Sequence, residues 1–235
     1  MNLKNKVIII TGASRGLGKE LALMLDKEEP KLVLAARNLK DLGEVKKQLR
    51  WSESIVAKTD VSKLKDIKRL FKRTKDKFGK VDVLVNNAGF NTKKLFYNYT
   101  EEELDEMFAV NTKGVILASK EAMTHMKKNS KILIVSSVAG FLSLKYYSIY
   151  SATKHALEGF VKGAKKETKK VKFHIFHPFR LKTHFHRKYR VKSPEKHMLD
   201  AKDYAEYMIA VMKEDTGESI RLFLRNWIRW IVKMI

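Results

Sequence analysis

The 235-residue sequence contains no cysteine, which excludes disulfide bonds, thiolate metal sites and cysteine nucleophiles. It has three prolines and no proline-rich linker, internal repeat or low-complexity tract that would divide the chain. No stretch of eighteen or more uncharged apolar residues is present, and no early apolar run resembles a signal peptide. We therefore expect one domain over residues 1–235, without a spanning helix, in the cytoplasm.

Acidic residues are also scarce, with 26 Asp and Glu against 49 Lys and Arg, for a net charge of +23. Such a charge attracts phosphorylated cofactors, acidic proteins, anionic lipid and nucleic acid alike. Solvated lysine-rich helix faces would explain the same excess without any of these partners. Charge alone therefore leaves the function open.

Apolar runs alternate with helical patterns along the chain. The first run, Val7–Ile10, is continuous, as in a strand buried on both faces, and the fifth is Ile132–Val135. Regular alternation of strand and helix predicts an α/β fold. We expect a Rossmann-like, doubly wound parallel sheet of six to seven strands with helices on both faces.

A glycine-rich turn joins the first strand to the first helix. Glycines let a phosphate approach the backbone, and the helix start offers free N–H groups and a positive dipole end. A plain strand-to-helix connector is the alternative, because the spacing is Gly-x-x-x-Gly-x-Gly and not the tighter Gly-x-Gly-x-x-Gly. The residues predicted to bind a dinucleotide here are Gly12, Ser14, Arg15, Gly16, Leu17 and Gly18.

Tyr150 and Lys154 are spaced as an acid/base pair on one helix face. A phenol normally holds its proton until the pH is near 10, and a neighbouring ammonium lowers that pKa. We therefore expect Tyr150 to exchange a proton near neutral pH. Tyr146 and Tyr147 have no lysine four residues later and are not candidates.

Several motifs now occur in a fixed order, and together they resemble the short-chain dehydrogenase/reductase family over about residues 5–183. Ser137 lies thirteen positions before Tyr150, and Asn111 lies twenty-six before Ser137, close to the usual spacings of that family. The motifs are Thr11-Gly12…Gly16-Leu17-Gly18, Asp60-Val61, Asn86-Asn87-Ala88-Gly89, Asn111, Ser136-Ser137, Tyr150…Lys154 and Pro178…Thr183.

The resemblance implies a role for each of four catalytic residues. Tyr150 would give a proton to a carbonyl oxygen, and Ser137 would hydrogen-bond that oxygen. Lys154 would lower the pKa of the tyrosine and hold the nicotinamide ribose. Asn111 would join Lys154 to solvent through a water-mediated relay.

The resemblance also assigns the rest of the cofactor site. One departure is Phe179, which stands where the family usually has glycine and would narrow the wall beside the nicotinamide. The implied contacts are Asp60 and Val61 at the adenine, Asn87, Ala88 and Gly89 along the adenosine, and Pro178, Leu181 and Thr183 at the nicotinamide end.

The residues after the second strand favour NADP(H) over NAD(H). The stretch Ala35–Asn38 has no carboxylate to hold a ribose hydroxyl, whereas Arg37 and Arg15 are placed to clasp a 2′-phosphate. Two solvated surface arginines are the alternative reading.

The C-terminal part departs from the family pattern. Residues 184–199 are the expected substrate lid, and His184 and His186 have no acidic or further histidine partner nearby, so we predict no metal site. Residues 219–224 read as a last strand, or as part of one helix that aligns Arg221, Arg225, Arg229 and Lys233. Residues 226–235 form an apolar helix with two tryptophans, suited to peripheral membrane contact or to packing on the pocket or a partner subunit.

These features favour an NADPH-dependent oxidoreductase that reversibly converts a carbonyl, including a lipophilic one, to an alcohol. A 3-oxoacyl carrier-protein reductase is an alternative that the basic lid supports. A non-enzymatic dinucleotide sensor or nucleic-acid-binding protein is the other, but it predicts loss of the catalytic set and a recognisable nucleic-acid motif. Relatives usually pair through the helices of Asn111 and Tyr150, so we expect a homo-oligomer, a dimer or tetramer.

Overall fold

The computed structural model describes residues 1–183, 198–214, 223–225 and 228. Its six strands form one parallel sheet in the order β3-β2-β1-β4-β5-β6. The order reverses between β1 and β4, and in such sheets the crevice at this reversal is where ligands bind. The strands are β1 (Val7–Thr11), β2 (Lys31–Ala36), β3 (Ser54–Lys58), β4 (Val81–Asn86), β5 (Met126–Val135) and β6 (Val171–Phe176).

Helices cover both faces of the sheet. They are α1 (Gly16–Leu25), α2 (Leu39–Lys46), α3 (Leu64–Phe78), α4 (Glu101–Phe108), α5 (Gly114–His125), α6 (Ser148–Glu167) and α7 (Ala201–Lys213). A π turn, Ala109–Lys113, separates α4 from α5. None of the helices in the described ranges is both long and apolar enough to cross a membrane.

The sheet separates two apolar layers, and successive residues of β1 point into different ones. Ile8 and Ile10 pack with side chains of α1, α2 and α7, whereas Ile9 packs with those of α3, α5 and α6. All five residues of β1 are buried. Burial on both faces explains the continuous apolar run, and the predicted doubly wound parallel sheet is confirmed.

Phe223, Leu224 and Arg225 are helical, so they do not form the end of a seventh strand. The Phe223 ring lies 5.9 Å from the Tyr207 ring, and the Arg225 guanidinium donates to the Glu206 carboxylate over 2.6 Å. Both partners belong to α7, so these contacts hold the segment against that helix. Most of the predicted lid, with His184 and His186, and all but Ile228 of the predicted 226–235 helix lie outside the described residues.

Candidate active site

Tyr150 and Lys154 lie one turn apart on α6, and both side chains are buried. The Lys154 ammonium is 5.7 Å from the centre of the Tyr150 ring. It donates a hydrogen bond of 2.9 Å to the Val135 carbonyl, the last residue of β5. The two side chains are therefore adjacent, as their spacing predicts, and the lysine is held at the carboxyl end of β5.

Burial dominates the acid/base properties of this pair. It raises the pKa of Tyr150 to about 12, although a hydrogen bond with the Ser137 hydroxyl acts in the opposite direction. It also lowers the pKa of Lys154 to about 8. The expected lowering of the tyrosine pKa is therefore not found here, because the desolvation of a phenolate outweighs the hydrogen bond with Ser137. Tyr150 is a neutral phenol, the form that can donate a proton.

Ser137 brings a second hydroxyl to the same point. It follows β5, and its hydrogen bond with Tyr150 places the two oxygens side by side. The Ser137 hydroxyl also accepts a hydrogen bond of 3.2 Å from the Ala139 N–H, which fixes its orientation. Two adjacent hydroxyls of this kind suit the binding of one substrate oxygen.

Asn111 is fully buried in the π turn, and its side chain holds other parts of the site together. Its Oδ1 accepts from the Phe90 N–H over 3.0 Å, and its Nδ2 donates to the Phe90 carbonyl over 2.8 Å and to the Thr153 hydroxyl over 3.2 Å. None of these bonds reaches Lys154. The predicted relay from Asn111 to Lys154 stays a prediction.

Gly89 keeps space open between Asn111 and Lys154. A Cβ atom at this position would lie 3.2 Å from Asn111 Oδ1 and 3.7 Å from Lys154 Nζ. This is the space that a bridging water would need. The glycine therefore matters to the site through its lack of a side chain.

The glycine turn and the end of β4 form one braced unit. Gly12 has a φ of +66°, and a Cβ atom there would lie 2.9 Å from the Ala88 Cα. Thr11 Oγ1 accepts from the N–H groups of Asn87 and Ala88 over 3.0 and 3.1 Å. The close approach requires glycine, and it sets the start of α1 beside residues 87–89.

The start of α1 has the features of a phosphate site. Arg15 precedes the helix in an extended conformation, and its side chain does not cap the helix. The first N–H groups of the helix therefore face the cleft together with the helix dipole. A Cβ atom on Gly16, whose φ is +56°, would be 3.3 Å from the Thr183 Cβ, so the predicted phosphate turn lies against a residue of the predicted nicotinamide end.

One cleft of about 460 Å³ joins these parts, a volume typical of small-molecule sites. Of the predicted residues, only Gly18 and Asn111 are not among its lining residues. Both lie just behind it: Gly18 packs on Gly12 and Asn87, and Asn111 braces Phe90. The predicted residues that line the cleft are Gly12, Ser14, Arg15, Gly16, Leu17, Arg37, Asp60, Val61, Asn87, Ala88, Gly89, Ser137, Tyr150, Lys154, Pro178, Leu181 and Thr183.

Arg37 lines the cleft together with Asp60, at the end that is predicted to hold the adenine. Arg37 is largely exposed and approaches the Glu106 carboxylate only to 4.0 Å. Burial acts to raise the pKa of Asp60, but hydrogen bonds from Ser62 and the charge of Arg37 hold that pKa below its ordinary value. The Arg37 guanidinium is thus close to the cleft and only weakly paired with Glu106, so it is able to bind an anion.

Phe179 lines the cleft but is 8% exposed and belongs to the apolar layer of α1 and α7. The preceding Pro178 accepts from the Val138 N–H over 3.4 Å through its carbonyl. The phenyl group is therefore largely accommodated by the core behind the nicotinamide wall.

A histidine–carboxylate pair beside the site was not predicted. His177 Nε2 lies 2.7 Å from Glu158 Oε1, and Glu158 is one turn beyond Lys154 on α6. The Phe141 ring packs edge-on against His177 at 5.3 Å. The pair therefore connects α6 to the chain just before Pro178. Nineteen residues separate its members, so no local pattern indicates it.

The part of the cleft around Tyr150, which we call the substrate half because a proton donor faces it, is apolar and was also not predicted. Phe90, Val138, Leu144 and Tyr147 line it, each in a loop that follows the carboxyl end of a strand or at the start of α6. Only their position after the strand ends of β4 and β5 could have indicated them. Among the described residues, no cluster of three histidines or carboxylates is suited to a metal ion.

Comparison with known proteins gives a consistent family. A family model described as short chain dehydrogenase matches residues 6–193. An uncharacterized oxidoreductase of Staphylococcus saprophyticus is 33% identical over 168 residues, which are 71% of this chain and 68% of that protein. One from Staphylococcus aureus is 32% identical over 216 residues, covering 90% and 93%.

Two solved structures share the fold. An alcohol dehydrogenase from the archaeon Thermococcus sibiricus, complexed with 5-hydroxy-NADP, has a TM-score of 0.83 at 30% identity and covers 88% of this chain and 90% of its own. A short chain dehydrogenase/reductase from Burkholderia phymatum, in complex with NAD, has a TM-score of 0.84 at 25% identity and covers 91% and 88%.

Proposed function

Since this chain belongs to the short chain dehydrogenase family, an oxidoreductase family, we propose that it reduces a carbonyl to an alcohol, reversibly, with NADPH. One observation carries the proposal. The neutral Tyr150 phenol and the Ser137 hydroxyl are hydrogen-bonded to each other in a cleft that also contains the braced glycine turn. A proton donor therefore shares one cavity with a phosphate cradle.

Each residue then has a chemical task. Ser137 hydrogen-bonds the carbonyl oxygen and stabilises the negative charge that develops on it. Tyr150 donates its proton to that oxygen, which leaves a phenolate beside the Lys154 ammonium. The lysine stabilises that phenolate electrostatically, and the phenolate then takes up a proton that comes from solvent, which restores the phenol. When bound, the nicotinamide cofactor supplies the hydride.

The cofactor fits the residues that are present. The start of α1 would hold the pyrophosphate, Asp60 and Val61 the adenine, and Lys154 the nicotinamide ribose. Arg15 and Arg37 favour NADPH, because they present two guanidinium groups at the adenine end and a 2′-phosphate binds them by charge-assisted hydrogen bonds. The solved relatives divide between NADP and NAD forms, so this preference needs its own test.

That test is Arg37→Asp compared with Arg37→Gln. The aspartate should weaken NADPH binding about a hundredfold and improve NADH relative to NADPH, with the glutamine variant between them. Equal catalytic efficiency of the unaltered enzyme with both cofactors would remove the proposed preference.

The activity itself is tested by NADPH oxidation across ketones, quinones, steroids and 3-oxoacyl thioesters, with Tyr150→Phe as the blank. We expect turnover of at least one class and a loss of about a thousandfold in Tyr150→Phe. Turnover confined to thioesters on a carrier protein would select the 3-oxoacyl reductase alternative. Salt-dependent DNA binding without turnover of any carbonyl would favour the non-enzymatic alternative instead.

Assembly and location are further proposals. Phe108 is 40% exposed at the end of α4, on the helices through which we propose that two copies pair. Phe108→Asp should therefore lower the mass measured by light scattering.

For residues 226–235, truncation after Leu224 should reduce binding to anionic liposomes. We propose a cytoplasmic protein, to be checked by cell fractionation.

A further inference from the structure

Two loops face each other beside the substrate half of the cleft. The loop after β4 carries Lys93 and Lys94, and the loop before α6 carries Lys145 and Tyr146. The Lys94 N–H donates a hydrogen bond of 3.0 Å to the Tyr146 carbonyl, which joins the two loops. Tyr146 has a φ of +71°, a left-handed conformation that costs a bulky residue about 1 kcal/mol or more.

Two lysine ammonium groups lie close to the ring of Tyr146. The Lys145 ammonium is 5.2 Å and the Lys93 ammonium 5.3 Å from the centre of the Tyr146 ring. Like charges repel, so a negative charge bound near two lysines lowers their electrostatic energy more than it would for a single lysine. Neither lysine is paired with a carboxylate of the described ranges, whereas their neighbour Lys94 is 2.5 Å from Glu103. Lys94 is neutralised, and the two lysines on the ring are not.

An apolar surface connects this lysine pair to the reacting groups. Leu144 and Tyr147, on either side of Lys145 and Tyr146, both line the cleft. Tyr147 also packs with the buried group around Tyr150. Leu144 is 49% exposed, and Phe141 and Leu142, just before it in the same loop, are 51% and 47% exposed. Large side chains left exposed at the edge of a cavity indicate a binding surface.

We propose that Lys93, Tyr146 and Lys145 form an anion subsite for the far end of the substrate. The substrate would then be an amphipathic carbonyl compound. Its carbonyl lies at Tyr150 and Ser137, its apolar body lies on Leu144 and Tyr147, and a carboxylate or phosphate lies between the two lysines. This inference rests on the proposed carbonyl reduction and adds the class of substrate to it.

The test compares substrates that differ only in charge. Long-chain keto acids and phosphorylated hydroxyketones of varied length are compared with the methyl ester or free alcohol of the same chain. In the unaltered enzyme the KM of the anion should be about fivefold lower than that of the neutral compound at low salt. This difference in KM should shrink in 0.5 M KCl, because salt screens the attraction between exposed charges. The better of the two anions identifies carboxylate or phosphate.

Lys93→Gln/Lys145→Gln should abolish that advantage and leave kcat and the KM of the neutral substrate unchanged. The matched control is Lys127→Gln/Lys128→Gln, which removes the same charge from exposed positions at the N-terminal end of β5. An equal loss in the control would mean that net charge is responsible and would overturn the subsite. An unaltered anion preference in the first variant would overturn it as well.

A binding measurement separates the subsite from the reaction. Calorimetry with NADP⁺ present should show dodecanoate binding more tightly than dodecanol, and the difference should vanish in Lys93→Gln/Lys145→Gln. Equal binding of the acid and the alcohol by the unaltered protein contradicts the subsite. If no carbonyl is reduced but this difference is found, the proposed reaction fails and the anion site remains.

Discussion

Two buried lysines are connected to strand β5, and they differ in what surrounds them: Lys131 belongs to the strand, whereas Lys154 on α6 binds the carbonyl of its last residue, Val135. Lys131, 1% exposed, donates to the Met212 carbonyl over 2.6 Å and to the Val211 carbonyl over 3.4 Å, and lies 3.3 Å from the Glu214 carboxylate. Lys154 donates to one carbonyl, that of Val135, and no carboxylate of the described ranges pairs with it.

The different surroundings of the two lysines indicate different roles. Lys131 supplies positive charge to the last carbonyls of α7, where the helix dipole is negative, and a carboxylate balances it. Lys154 is held by one hydrogen bond beside a phenol, so its remaining N–H groups face the cleft. We therefore propose that Lys131, whose ammonium has several partners, stabilises the fold, and that Lys154, whose ammonium has one, serves the proposed reaction.

The largest effect that this comparison predicts is on activity. Lys154→Met should lower kcat/KM for carbonyl reduction about a thousandfold, because the cation beside Tyr150 is lost. The thermal midpoint should stay equal or rise, because methionine fills the site without burying a charge. Steady-state kinetics and calorimetry measure both, and a variant that is active, or that is unfolded at 25 °C, contradicts the account.

Lys131→Met should show the opposite behaviour. It leaves two carbonyls at the end of α7 without their partner, so the free energy of unfolding should fall by about 3 kcal/mol. Activity per folded molecule should be retained. Urea denaturation gives the stability, and Lys127→Met on the same strand is the exposed control; a loss no larger than in that control would refute the structural role.

The pH dependence of stability should report on Lys154. Its pKa of about 8 lies below the ordinary value of 10.5, so between these pH values the unfolded chain binds more protons than the folded protein. Stability should therefore rise with pH through this window, by about 2 kcal/mol from pH 8 to 9.5, relative to Lys154→Met. Parallel curves for the two proteins would mean that the buried ammonium carries no penalty.

Glu214 gives the smallest effect. A hydrogen bond from Lys172, opposed by burial and helped by Lys131, lowers its pKa to about 2. A lowered carboxyl pKa stabilises the fold above the unfolded value near 4.5, and the contribution is lost as the pH falls toward 2. Because Glu214 is 42% exposed, Glu214→Gln should cost less than about 1 kcal/mol at pH 7. The difference in urea midpoint should shrink at pH 3, and a constant difference would argue against the ion pair.

The sequence could predict what is local. Tyr150 and Lys154, the glycine turn and the strand before it depend on residues within one turn or one loop, and each lies on the expected element, whereas the roles of the site residues stay predictions. Lys131 could not be predicted, because its acceptors lie eighty residues away and its strand is polar before Ile132. The apolar pattern marks only Ile132–Val135, whereas β5 starts at Met126.

Long-range packing also determines the surroundings of three tyrosines, Tyr146, Tyr147 and Tyr150. Tyr147, set aside because no lysine follows it by four, lines the cleft, and Tyr146 holds the two lysines of the proposed subsite. The pKa of Tyr150 depends on how deeply α6 is buried, which spacing does not reveal. Sequence therefore predicts which groups occur on an element, whereas their desolvation depends on the assembled fold.

We propose that the Tyr150–Lys154 site performs NADPH-dependent reduction and that Lys131 only supports the fold. The most direct measurement is NADPH oxidation with one reactive ketone, at equal concentrations of folded protein, for the unaltered chain, Lys131→Met and Lys154→Met. The account predicts similar rates for the first two and almost none for the third. Equal rates for Lys154→Met and the unaltered chain, or equal losses in the two variants, would contradict it.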